Sequence, residues 1–227
     1  MARKSRKKKN TQKDMPTNRQ VVYLDTEMIC GYLLDDNKSE TYKTAENNIK
    51  ALISYLGTYI VKISQVVVGE FSSILCRKNE NELKGWESRN KGILASKPSL
   101  DEKKKIILGQ FYDLIRDLNA ELPPVPPETY RLARILMCLN NPHVGNKEIC
   151  FEKIDETNDI SYNFYDGTYL TSMDVLILAH AIADEADYLL TTDNNMVGNP
   201  TVQTLCKKIG KKPPKVTDSI NQQSWTS

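Results

Sequence analysis

The sequence predicts an α/β fold with a central parallel sheet flanked by helices, and three stretches predict it. Val21–Asp25 (VVYLD) and Asp187–Asp193 (DYLLTTD) are short runs with apolar centres, and each ends in an acid. Buried parallel strands look like this when their carboxyl ends open onto a site. Asp174–Ala186 (DVLILAHAIADEA) is an apolar, alanine-rich helical stretch directly before the second run. Helix followed by strand is the alternation from which parallel sheets are wound.

The other elements follow from periodicity and punctuation. Residues 43–56 place Ala45, Ile49, Leu52, Ile53 and Leu56 at helical spacing, with Gly57 as the stop. Tyr59–Ile63 reads as a second strand. Ser64 reads as the cap of a helix that starts at Val66 and carries Glu70, Ile74 and Leu75. From Arg77 to Pro98 the chain is polar and loses its periodicity. Ser99 with Glu102 three positions on is a capping box, opening a long helix through Ile107, Phe111 and Leu114. Pro123–Pro127 (PPVPP) is a stiff connector to a helix over Glu128–Leu139. Residues 145–170 read as loop with scattered aromatics, among them Phe151, Tyr162 and Phe164. A short helix (Val202–Lys208), a stop at Gly210 and an edge strand near Lys215–Thr217 close the chain.

Composition narrows the function classes. The apolar share of 40% in 227 residues supports a real core. No stretch approaches the roughly 18 apolar residues of a membrane span, and the N-terminus lacks the apolar segment of a secretory signal. Five widely spaced cysteines without a C-x-x-C pair indicate neither a disulfide framework nor a zinc knuckle, so a reducing, cytoplasmic location is expected. Residues 1–19 form a basic tail, with Arg3, Lys4, Arg6, Lys7, Lys8, Lys9 and Lys13 and no acid before Asp14. Such a tail can hold a polyanion, aid solubility or act as a targeting signal. Residues 20–220 are expected to form one domain.

Four acids share an unusual setting. Asp25 and Asp193 follow apolar strands, where open α/β sheets bind their ligands. Glu70 and Asp174 lie in early turns of apolar helices. Burying one ionised carboxylate is costly, and gathering several is costlier unless a cation neutralises them. All-oxygen clusters of this kind suit Mg²⁺ or Mn²⁺. Each acid also has an ordinary role open to it: capping for Asp174, a turn for Asp193, solvent for Glu70, a strand end for Asp25. Asp184 and Glu185 read as a solvated helix face, Asp187 as structural and His180 as a packed core residue.

In this order the motifs resemble the PIN-domain nucleases, with a core of the VapC type. Their strand ending in Asp, often followed by Thr, is matched by YLDT (Tyr23–Thr26), and their Glu-bearing helix by VVVGEF (Val66–Phe71). Their Asp opening an alanine-rich helix is matched by SMDVLILAHAIADEA (Ser172–Ala186). Their strand ending in Thr-x-Asp is matched by YLLTTD (Tyr188–Asp193). The resemblance covers 20–76 and 170–217, leaving 77–170 as an enlarged helical insertion: packing helices, a lid or a partner surface. Glu27 stands where many members have Asn, two positions after the first Asp, and would either add a carboxylate or point away.

The resemblance implies a three-layer fold and metal-dependent hydrolysis of RNA. Asp25, Glu70, Asp174 and Asp193 would hold one or two Mg²⁺ or Mn²⁺ ions that activate a water. Thr191, Thr192 and Asn194 would donate hydrogen bonds to a phosphate, or Thr191 would instead fix Asp193. A homodimer, and an inhibitory or recruiting protein partner, are further expectations. Two other readings stay open: a catalytically silent module that binds RNA or a partner, and a DNA-directed metal-dependent nuclease.

Overall fold

Strand β1 (Gln20–Leu24) lies at the centre of the sheet because it is apolar on both faces: Val22, Tyr23 and Leu24 are consecutive and all 0% exposed. That pattern needs cover above and below, which helices supply in parallel sheets. In the computed structural model, which describes residues 19–140 and 170–220, the four strands run in the order β2-β1-β3-β4, all parallel. They are β2 (Tyr59–Lys62), β3 (Tyr188–Leu190) and β4 (Lys215–Thr217) beside β1. Val22 lies opposite Val61 on one side and Tyr188 on the other, and Leu24 lies opposite Leu190. The α/β class and the flanked parallel sheet are as the sequence predicts.

Nine helices flank the sheet among the described residues: α1 (Thr26–Leu34), α2 (Glu40–Ser54), α3 (Gln65–Arg77), α4 (Lys84–Arg89), α5 (Lys91–Leu94), α6 (Leu100–Asp117), α7 (Pro127–Asn140), α8 (Ser172–Ala183) and α9 (Pro200–Ile209). Their starts obey local chemistry. Ser64 accepts from the Val66 amide to open α3, and Ser99 with Glu102 forms the expected box at α6. Gly210, at φ 67°, ends α9 in the left-handed conformation that glycine adopts without strain.

Three elements differ from expectation. Helix α1 follows Asp25 at once and has no counterpart in the sequence reading. It buries Met28, Ile29, Leu33 and Leu34 around most of its circumference, so no apolar stripe marks it. Residues 80–94, polar and aperiodic, fold as a 3₁₀ turn (Glu80–Leu83) followed by α4 and α5, too short to show a period. Strand β3 is three residues rather than seven, although the residues flanking it still bond to the sheet: the Asp187 amide donates to the Val21 carbonyl at 2.9 Å and the Thr191 amide to the Thr217 carbonyl at 3.1 Å.

The first half of the insertion belongs to the core. Leu83, Trp86, Ile107 and Phe111 are fully buried in one cluster with the β1 side chains. Helix α4 is locked onto the end of α1. A Cβ on Gly85 would lie 2.7 Å from both the Leu34 carbonyl oxygen and the Asp36 amide nitrogen. Arg89 donates to the Tyr32 and Leu33 carbonyls at 3.0 and 2.6 Å, closing the α1 C-terminus. Lys103, in turn, bridges Glu80 and Glu87 at 2.5 and 2.7 Å. The expectations for the tail and for the aromatics at 151–169 lie outside the described residues. No helix among those described is long and apolar enough to cross a membrane.

Candidate active site

Strands β1 and β3 are neighbours whose next connections run opposite ways, β1 to β2 on one side and β3 to β4 on the other. The carboxyl ends of such a pair form the topological switch point where open α/β sheets bind ligands. Asp25 leaves from one strand and Thr191–Asp193 from the other. The Asp25 amide still donates to the Leu190 carbonyl at 3.0 Å, which sets Asp25 beside Thr191.

Asp25 is 1% exposed. Its Oδ2 accepts from the Thr191 hydroxyl at 2.7 Å, while Oδ1 is buried with no hydrogen-bond partner among the described residues. Burial first, then the charges of Asp174 and Glu27, push its carboxyl up to about 7, against the Thr191 and Thr26 hydrogen bonds. Thr191 is fully buried, and its hydroxyl also accepts from the Asp193 amide at 3.0 Å. One hydroxyl thus fixes the bearings of both strand-end acids. This corrects the expectation that Thr191 meets substrate: it stands behind the carboxylates with its hydrogen bonds already made.

The two helical acids come from helices that pack against each other. Glu70, half-buried on α3, accepts from the Thr26 hydroxyl at 2.5 Å. Burial raises its carboxyl above the usual range, with the Asp174 charge adding. Asp174 is the third residue of α8 and completes a capping box with Thr171, its Oδ2 accepting from the Thr171 amide at 2.8 Å. Its capping role is therefore present, and its charge acts on Asp25, Glu70 and Glu27 as well. Asp193 accepts from the Asn195 amide at 2.7 Å, a turn that aims the segment after β3. Thr192 is half-buried and Asn194 exposed, so both lie at the rim. Sequence reading carried Thr26 only as part of YLDT; its hydrogen bond to Glu70 spans 44 positions, and no local pattern shows it.

No protein-family model and no curated protein matches the chain. Among solved structures, it is similar to a chain in the crystal structure of VapBC2 from Rickettsia felis bound to a DNA fragment from their promoter. The identity is 15% and the TM-score 0.44, over 87% of this chain and 97% of that chain. At that score the likeness bears on neither family nor activity.

The site itself speaks to a cation. Among the described residues no three His, Cys, Asp or Glu side chains stand close enough to form a ready-made cage. The buried, unpartnered Oδ1 of Asp25 nevertheless suits a hard cation, and so does a set of carboxylates that repel one another. Mg²⁺ is commonly held by one or two carboxylates with waters filling the remaining positions. An open set of acids fits that habit.

A second polar network ties the site together from behind. The Ser64 hydroxyl, which caps α3, meets His180 Nδ1 of α8 at 2.8 Å, and both residues are buried. It links the helices that carry Glu70 and Asp174. His180 is thus the packed residue the sequence suggested. Glu185 is exposed as expected, but Asp184 is only partly so: it accepts from the Tyr23 hydroxyl at 3.0 Å and pairs with Lys62 at 2.5 Å. Burial, outweighing the Asp184 charge, lowers the His180 pKa below its ordinary 6.5. As pH falls below that value the unfolded chain takes up a proton the folded chain resists, so this group's contribution to stability is lost on acidification. The difference in urea midpoint between wild type and His180→Gln, measured between about pH 5 and 7, is expected to carry this component, the wild type losing more towards acid than the variant; parallel pH profiles of the two proteins would remove His180 as its source.

Proposed function

We propose that this protein is a metal-dependent endoribonuclease of PIN-like architecture. The observation that carries the reading is Asp25: a carboxylate at the switch point of the sheet, buried, with one oxygen unpartnered and the charges of Asp174 and Glu27 acting on it. Asp25, Glu70, Asp174 and Asp193 would hold Mg²⁺ or Mn²⁺, which supplies a more acidic bound water and screens the phosphate charge. Thr191 holds Asp25 and the Asp193 backbone in register, and Thr26 holds the Glu70 carboxylate, which would orient the attacking water. Thr192 and Asn194, at the rim, would donate to a phosphate oxygen. The basic tail adds cationic side chains for a polyanion. A cytoplasmic location, a second copy of the chain and an inhibitory or recruiting protein belong with this reading as expectations of the resemblance.

One observation favours a second reading. The lack of a ready-made three-carboxylate cage among the described residues suits a silent module that binds RNA without cutting it. Labelled single-stranded RNA and DNA, incubated with Mn²⁺, Mg²⁺ or EDTA beside Asp193→Asn, separate the two. The expected result is RNA cleavage only with metal, reduced about a hundredfold or more by the substitution. RNA bound but uncut establishes the silent module. DNA cut in preference to RNA redirects the substrate class.

A further inference from the structure

We infer that Arg77 and Lys104 hold backbone phosphates of the RNA strand next to the scissile one, so that the strand leaves the site along α3. The inference rests on the RNA-directed reading above and adds to it a contact outside the carboxylate set. Glu70 is tied to the site by its hydrogen bond from Thr26, the residue after Asp25. Arg77 follows Glu70 by seven positions on the same helix. Two turns of helix return a side chain to nearly the same face, about 10 Å further along the axis. Glu70 is the one acid of α3, so no carboxylate of that helix stands between them. Lys104 reaches the same place from α6: its ammonium donates at 2.6 Å to the carbonyl of Cys76, the residue before Arg77.

Two cations from different helices thus meet at the end of α3, and among the described residues neither pairs with an acid. Arg77 is exposed, and its Nε donates to the Ser73 carbonyl at 3.3 Å. The acids nearby are engaged elsewhere. Glu80 and Glu87 hold Lys103, Glu82 holds Lys78 at 3.2 Å, and Glu102 closes the box with Ser99. Like charges brought together without a counter-charge are unfavourable until an anion enters. A phosphodiester backbone is the anion that the proposed substrate brings, and a guanidinium fork beside an ammonium suits its oxygens. The Arg77 charge is also felt at Glu70, where it opposes the rise that burial causes.

The competing explanation is structural: cations at a helix C-terminus interact favourably with the dipole and with its last carbonyls. A cap changes melting, not affinity for RNA. Binding of a labelled single-stranded RNA to the full chain, in EDTA and over a range of salt, decides between them. The proteins are wild type, Arg77→Gln with Lys104→Gln, the charge-keeping Arg77→Lys with Lys104→Arg, and Lys43→Gln with Lys50→Gln. The last pair removes two cations that α2 already matches with Glu40 and Glu46. A melting curve of each protein confirms that it is folded. In Arg77→Gln with Lys104→Gln, the slope of log affinity against log salt is expected to become shallower by about 1.4, two phosphate contacts at about 0.7 each. The charge-keeping pair and the α2 pair are expected to retain the wild-type slope. A wild-type slope in Arg77→Gln with Lys104→Gln overturns the inference, and so does an equal loss in the α2 pair. In both cases RNA cleavage by the wild type with metal leaves the proposed function standing. Absence of RNA binding by the wild type at low salt overturns the RNA-directed reading and this contact with it.

Discussion

Asp25→Asn is expected to abolish Mn²⁺ binding while making the metal-free protein more stable above about pH 7. The reason is that the fold holds this carboxyl in a place that disfavours its charge. Its pKa is raised from 3.8 to about 7. Between those values the folded chain keeps a proton that the unfolded chain has released. Stability therefore falls as pH rises through the window, and the whole cost is in place above it. Asparagine carries no charge, so the variant escapes that loss. Lifting the carboxyl from 3.8 to about 7 corresponds to roughly 4 kcal/mol. An unpaired amide in the same place costs about 1–3 kcal/mol. The net gain near neutral pH is then on the order of 1–3 kcal/mol.

Melting curves of both proteins from acid to neutral pH, in EDTA and in Mn²⁺, check the argument. The wild type should gain stability from Mn²⁺ and the variant should not. His180 titrates over part of the same window with the opposite sign, so the difference between the two curves is the quantity to read. If Asp25→Asn is less stable than wild type at every pH, Asp25 is serving the fold as an acceptor for Thr191 rather than waiting for a cation.

Trp86→Ala is expected to cost about 3–5 kcal/mol, a large share of the stability of an ordinary domain. Trp86 is 0% exposed, and its indole nitrogen donates to Gln110 at 2.7 Å. Truncation therefore opens a cavity and leaves the Gln110 oxygen without its donor. The consequence reaches the site, because α4 is pinned to the end of α1, the helix that starts at the Asp25 boundary. Chemical denaturation monitored by circular dichroism gives the number. A loss below about 1 kcal/mol with an unchanged denaturant slope would mean that 77–140 is an appendage after all. The larger loss would exclude a dispensable lid for this half of the insertion.

Those two residues mark what could and could not be read from the chain alone. Asp25 and Asp193 were legible because a buried parallel strand writes itself as an apolar run, and its end is the residue where the run stops. The caps at Ser64 and Ser99 were legible because the bonds that make them span two or three positions. The beginning of α8 was legible in part: capping was a role open to Asp174, and Thr171 is the residue with which it closes a box. Trp86 carried no such signal, lying in a polar stretch whose helices are shorter than two full heptads and whose burial depends on α1 and α6.

The sequence by itself determined which stretches form the buried central strands and that acids follow them, since both follow from the apolar pattern along a few residues. Only the tertiary structure decided that Thr191 faces inwards, that Thr26 steers Glu70 and that Asp184 anchors Tyr23 and Lys62. Each of those bonds joins residues far apart in the chain, and a side chain acquires its partner and its surroundings only when the strands and helices have packed.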